Sequence, residues 1–468
     1  MNAPKQRCGL AAAGFIVALL ATPSYAADAR VRQIYAAPLG ATHEAHADSD
    51  ERRFPEITTN VVTDGPSTLL VYPVAGTPGV NFTVPYFVDV DDSASFRDFN
   101  CGDLTFAGHS GHDPYIRSFR EQAIGVPVFA VLDGTVVDLH DGEPDENTDN
   151  DSSKQSNFIA LRHANEQTTQ YVHLRRGSVT HQIGEFVTAG TQIGLVGSSG
   201  ASVAPHIHFE LQYRGQPVEP MAGPCRAGRS FFVNQPEATT RFTVLHTTLS
   251  KTNFANVRPS PYDDATPTGT FRRGVQTIYY RADVANVSSS TTYELYLQRP
   301  GSTQKVGRTT GTLLTRSALR ATVSWAIDVD LNVTGTWNIV LEVDGQTFRR
   351  PFTVVTTSSQ IVNRPPNPIS VSIDPFRSGE VPVCRVSSDP LADPDYEMVA
   401  YRYVWQVNGA TVRDVQSAAL TDALARNLVH GGQAVSCTVT ASDNVASAQP
   451  AVGHAVATSA RRRVVRSR

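Results

Sequence analysis

Apolar and polar positions alternate at short range along most of the chain, and Gly, Pro, Asn or Asp interrupts the pattern every few residues. A period of two is the signature of a half-buried strand. Residues 69–73 and 82–88 read as strands. Residues 126–130 and 134–137 follow as two more, set either side of an Asp133-Gly134 turn. Residues 158–161 and 169–174 read as a strand pair joined by a polar hairpin over 162–168, and 187–196 supply more strand punctuated by glycine. Further on, 276–280, 292–297 and 336–343 repeat the pattern, and an Asp344-Gly345 turn leads from the last to Phe348 and Phe352. No stretch keeps a helical period, so the chain is expected to be all-β.

Three polar clusters break into this alternation. The first is Gly108-His109-Ser110-Gly111-His112-Asp113, which Gly108, Gly111 and Pro114 keep out of a helix. In extended chain His109, Gly111 and Asp113 point the same way, and His112 turns away from them. The second is Tyr171-Val172-His173-Leu174, where alternation pairs Tyr171 with His173. The third is Pro205-His206-Ile207-His208-Phe209-Glu210-Leu211. On a strand it sets His206, His208 and Glu210 on one face and Ile207, Phe209 and Leu211 on the other. Imidazole nitrogens and a carboxylate suit zinc, which in catalytic sites takes three protein ligands and leaves a position for water. The five candidates are His109, Asp113, His173, His206 and His208. Two of the histidines then remain to move protons.

His-x-Gly-x-Asp, then Tyr-x-His-Leu, then Gly194-Leu195-Val196-Gly197-Ser198-Ser199-Gly200-Ala201-Ser202 ahead of His-x-His-Phe-Glu resembles the M23 peptidases, the lysostaphin-like and LytM-like zinc endopeptidases. The resemblance covers about a third of the chain, roughly residues 66–230. Ala204 stands where the family usually has Gly, but it touches no ligand. The resemblance implies a small antiparallel β fold and a zinc ion held by His109, Asp113 and His208. It further implies His206 as general base on the zinc-bound water and His173 as donor to the developing oxyanion. Tyr171 and Glu210 would orient the histidines from behind. The implied activity is that of a metalloendopeptidase cutting peptide cross-links of bacterial peptidoglycan, or glycine-rich proteins. The competing reading is an inactive M23 fold that acts as an adaptor or activator. Inactive members usually lose zinc ligands, and this chain keeps all three with both further histidines.

Composition then sets the frame. A chain of 468 residues is too long for one core. Hydrophobic content of 40% and charged content of 18% fit folded protein. A formal charge of −4 implies no nucleic-acid partner. Lys5 and Arg7 precede an apolar run over 9–21, with Ser24 and Ala26 placed for signal peptidase, so 1–26 reads as a signal peptide. No stable membrane span is expected after its cleavage, and the protein is expected in the periplasm, cell envelope or outside the cell. Cys101, Cys225, Cys384 and Cys437 then remain, an even count that suggests two disulfides in an exported chain. Cys101–Cys225 brackets the site motifs, and Cys384–Cys437 falls in one later region.

The expected organisation is a linker or pro-segment over 27–65, the peptidase domain over 66–235 and a β-sandwich over 236–360. An Ig-like or PKD-like module over 361–458 and a basic tail over 459–468 follow. The order Cys384, Trp405, Cys437 carries the Ig-like reading. Asn363-Arg364-Pro365-Pro366-Asn367-Pro368 reads as a stiff linker. His43-Glu44-Ala45-His46 is one residue short of the zincin spacing and reads as solvated linker. The acidic run over 141–151 lacks the EF-hand order and reads as a surface loop.

Overall fold

The computed structural model describes residues 29–38, 66–238, 240–256, 262, 266–388, 391–443 and 450–458. The expected signal peptide, the His43–His46 cluster and the basic tail lie outside the described residues. The described chain is nearly all β and antiparallel, with one short α-helix and a few 3-10 turns.

The first region is built on a six-stranded sheet in the order Gln216–Pro217, His208–Tyr213, Gln167–Val172, Phe158–Arg162, Gly134–His140, Phe186–Val187. Neighbours run antiparallel, with His208 opposite Val172 and Phe209 opposite Tyr171. One face buries Ile159, Leu161, Tyr171, Phe209 and Leu211. The two strands expected either side of Asp133-Gly134 form, but not as partners of each other. Pro127–Phe129 pairs instead with Gln192–Leu195, and Gly134–His140 pairs with Phe158–Arg162. Residues 69–73 are not a strand but one isolated bridge from Leu69 to Phe232. The helix Phe119–Ile124 was not expected from periodicity, because it is under two turns long. Ser118 caps it, its side chain accepting from the Glu121 amide.

The second region is a sandwich of two sheets. One runs Arg30–Pro38, Ala318–Leu331, Gly274–Val287, Thr243–Ser250; the other runs Thr270–Arg272, Gln346–Val355, Gly335–Val343, Thr292–Gln298, Val306–Thr312. Asp344 and Gly345 both take positive φ, as the tight hairpin between Gly335–Val343 and Gln346–Val355 requires. Arg30–Pro38 corrects the sequence reading of that stretch as linker. It is an edge strand, paired antiparallel with Ala318–Leu331 from Arg30–Asp328 to Pro38–Ala321. Only Val31 of this strand enters the sandwich core, so hydrophobic pattern alone carried little sign of it.

The third region packs Ser370–Ile373, Val383–Ser387 and Thr421–Ala423 against Ala410–Ser417, Ala400–Val407, Ala434–Ser442 and Ala451–Thr458. Cys384 and Cys437 are bonded across its core, and Trp405 lies opposite Cys437 with its Nε1 donating to Asp422 at 2.8 Å. Cys101 and Cys225 form the other disulfide.

The regions share surfaces. Val381, Ala418, Ala419 and Ala423 of the third pack into the apolar cluster of the first. Arg426 pairs with Asp133, and the Ala418 amide donates to the Gly125 carbonyl at 2.8 Å. From the second, Arg320 donates to the Ile116 carbonyl at 3.1 Å, beside the site described next.

Candidate active site

Strand Asp113–Ile116, paired with Phe82–Tyr86, crosses the end of the six-stranded sheet. Its neighbour His112 exchanges backbone hydrogen bonds with Phe209, which sets the first motif against the third. Gly111 makes this approach possible. A Cβ there would lie 2.7 Å from the His208 ring and 2.6 Å from the Phe209 carbonyl.

His109, Asp113 and His208 converge. One ligand atom from each lies within 4.8 Å of the others. His109 Nε2 is 3.2 Å from Asp113 Oδ2, and His208 Nδ1 is 3.0 Å from Asp113 Oδ1. All three are buried, at 2%, 6% and 4% exposure, so the charges they carry lie out of water. Burial alone would raise the Asp113 pKa, but His109 and His208 outweigh it and hold the carboxyl well below the usual range. The hydrogen bonds behind the rings fit a metal. His109 Nδ1 donates to the Phe87 carbonyl at 2.7 Å, which leaves the Nε2 lone pair facing inward. His208 Nε2 faces Glu210 Oε2 at 3.6 Å and Ser110 Oγ at 3.4 Å, so a proton held on Nε2 leaves Nδ1 as the ligand atom. Glu210 is itself fixed by Ser110 Oγ at 2.7 Å and Gln212 Nε2 at 2.5 Å.

His173 and His206 lie with ring centroids 4.5 Å apart. His173 Nδ1 donates to the Ser199 carbonyl at 2.7 Å, and His206 Nδ1 donates to the Ala204 carbonyl at 2.7 Å. A carbonyl can only accept, so in the neutral rings both Nε2 atoms are acceptors. Either ring becomes a donor at Nε2 only on taking a proton. The segment 198–204 thus supplies two carbonyls that orient two imidazoles. With Phe106, Asp113, Tyr115 and Ser202, the two histidines bound a cavity of about 10 Å³. That is roughly room for one water.

Tyr171 is a correction. Its hydroxyl accepts from the Val131 amide at 3.1 Å and faces Thr169 Oγ1 at 3.2 Å, and its ring packs on Phe209 in the core. It orients no histidine. The strand ends at Val172, and His173 takes φ 61°, so alternation does not carry across 171–173. His112 turns away from the cluster, as alternation predicts. It pairs with buried Glu219 at 2.8 Å, which also accepts from the Val88 amide.

Sequence reasoning missed Tyr115. Its ring stacks on His206 at 4.2 Å with 9° between planes. Carrying the alternation of His109, Gly111 and Asp113 one step further would have found it. The Arg320 guanidinium, buried and contributed by the sandwich, lies over the Tyr115 ring, 5.7 Å from its centroid. No local sequence signal links position 320 to position 115. In the acidic 141–151 loop, Asp141 accepts from the amides of Gly142, Gly177 and Val179, and Asp145 from the Arg176 amide. Those carboxylates are spent on backbone donors, in keeping with a surface loop.

Residues 118–220 match the sequence profile of Peptidase family M23. The match takes in His173, His206, His208 and Glu210, while His109 and Asp113 lie just upstream of it. Over 98 residues the chain is 35% identical to the peptidoglycan DD-endopeptidase ShyA of Vibrio cholerae serotype O1, a stretch that is 21% of this chain and 20% of that one. Over 66 residues it is 44% identical to the DD-carboxypeptidase/endopeptidase Mpg of Neisseria meningitidis serogroup B, 14% of this chain and 15% of the other. The chain therefore spans about a fifth or less of the length of these curated relatives. Among solved structures, lysostaphin of Staphylococcus simulans aligns at 17% identity over 62% of this chain and 95% of its own, with a TM-score of 0.23. The chain carries a domain of peptidase family M23.

Proposed function

We propose that the protein is an exported zinc metalloendopeptidase that hydrolyses peptide cross-links of bacterial peptidoglycan. The observation that carries this reading is the convergence of His109, Asp113 and His208 beside the His173–His206 pair. The names of the curated relatives point the same way. Among the described residues no helix is long and apolar enough to cross a membrane.

Zinc bound by His109 Nε2, Asp113 and His208 Nδ1 would polarise the scissile carbonyl and acidify a bound water. The protein's own groups divide the proton work. Neutral His206 presents an Nε2 lone pair, because Ala204 holds the proton on Nδ1. It accepts the proton of the attacking water. His173, in its protonated form, donates to the oxygen on which negative charge develops. One proton shared between two imidazoles 4.5 Å apart meets both needs. Tyr115, stacked on His206, keeps that ring from turning.

The test is digestion of purified muropeptides by the full protein, with and without chelator. Product that disappears with chelator and returns with added zinc is expected. Absence of any chelator-sensitive product would leave the adaptor reading standing.

A further inference from the structure

A second group of side chains that could hold a metal ion, sharing none with the peptidase histidines, lies where the third region meets the sandwich. Asp393 and Glu397 come from the loop ahead of strand Ala400–Val407, and Asp443 follows strand Ala434–Ser442. One oxygen from each lies within 4.8 Å of the others. Asp393 is only 1% exposed. Its Oδ1 is committed, accepting from the Asp395 amide at 2.7 Å and from the Glu397 amide at 3.4 Å. Its Oδ2 is buried with no hydrogen-bond partner, and so is Glu397 Oε2. Asp443 Oδ2 accepts from Asn363 Nδ2 at 2.8 Å.

A buried carboxylate oxygen with no donor is costly, and two of them in one cluster of three acids is more so. Arginines do not relieve it: Arg120 favours the charged form of Glu397, but as the smallest of the effects on it. Arg364 is taken up by Asp395, by the Pro394 carbonyl at 2.6 Å and by Thr353 Oγ1 at 3.0 Å. Burial first, and then the neighbouring carboxylates, push Asp393 up to about 6 and Glu397 up to about 7. What the cluster lacks is positive charge of small radius.

We infer that Asp393, Glu397 and Asp443 hold a calcium ion at the joint between the sandwich and the third region. All three donors are carboxylate oxygens, which suits a hard cation and distinguishes this cluster from the imidazole-rich peptidase site. The loop that carries Asp393 and Glu397 also ties the two regions together. Tyr396, between them, is buried in the sandwich core and donates its hydroxyl to the Pro351 carbonyl at 2.9 Å. A cation bound at Asp393 and Glu397 fixes that loop on one side while Tyr396 anchors it on the other. The supposed stiff linker then owes its order to the same joint, since Asn363 and Arg364 bond to Asp443 and Asp395.

The experiment is calorimetric titration of calcium chloride into the zinc-loaded full-length protein in calcium-free buffer, paired with thermal unfolding. One calcium per chain is expected, with a rise in Tm of at least about 3 °C at saturation. Asp393→Asn keeps the acceptor for the Asp395 amide, and Glu397→Gln keeps the side-chain length; each is expected to fold and to lose at least tenfold in calcium affinity. Asp149→Asn, in the acidic surface loop, is expected to bind as the wild type does. Absence of calcium binding at 10 mM (about a thousandfold above the range of sensor sites) would overturn the assignment, as would binding that both variants retain.

Discussion

A single methyl group at position 111 probes how closely the ligand set is built. The Cβ of Gly111→Ala would meet the His208 ring at 2.7 Å and the Phe209 carbonyl at 2.6 Å, both too close. Turning the ring relieves only one of these contacts, and the Phe209 carbonyl is backbone, so the strand carrying His208 must shift as well, which takes Nδ1 off Asp113. Zinc affinity is expected to fall by roughly tenfold to a hundredfold, as for loss of an orienting partner, while the fold persists; a competition titration against a zinc dye reads it. The paired histidines separate differently. His206→Ala is expected to abolish cleavage with zinc content still near one per chain, and loss of the metal would refute its role as a non-ligand. His173→Ala removes one donor to the oxyanion, and kcat is expected to drop by about 10² to 10³.

At the scale of single elements, strands Phe158–Arg162 and Gln167–Val172 hold between them a histidine that the fold keeps neutral. His163 follows the first strand, with Nδ1 donating to the Asp133 carbonyl at 2.8 Å and Nε2 2.7 Å from Thr169 Oγ1. Burial pushes its pKa from 6.5 down to about 3. The unfolded chain therefore takes up a proton that the folded one refuses, so stability present above pH 6.5 is lost as pH falls toward 3. The slope is about 1.4 kcal/mol per pH unit for one proton. Thermal unfolding of chelator-treated protein between pH 4.5 and 7.5 should show a shallower acid decline for His163→Asn than for the wild type. Elements of this kind were largely readable in the sequence, because their hydrophobic period is local. The core residues Ile207, Phe209 and Leu211 follow it, and so do Cys384, Trp405 and Cys437. Period two failed where the backbone leaves the strand: at His173, whose left-handed φ parts it from Tyr171. It was also silent on pairing. Nothing local in 127–129 says that its partner is 192–195 and not the strand across the next turn. The helix after Ser118 did have a signal, Ser-x-x-Glu, but too few residues to show a period.

Across the whole molecule, contacts between regions were the least legible feature, since they join positions hundreds of residues apart. Arg426 meets Asp133, and the apolar cluster of the first region is completed by Val381, Ala418, Ala419 and Ala423 of the third. Leu319 and Arg320 of the sandwich reach the wall behind Tyr115. The sandwich also takes its edge strand, Arg30–Pro38, from the far side of the first region in sequence, with eight residues in register against Ala318–Leu331. A protease that nicks the chain between Pro38 and Pro66 would thus sever a bond without releasing a fragment. The short piece should travel with the large one in native mass spectrometry and part from it only on a denaturing gel. Cleavage at that place leaves two chains laced together along one strand.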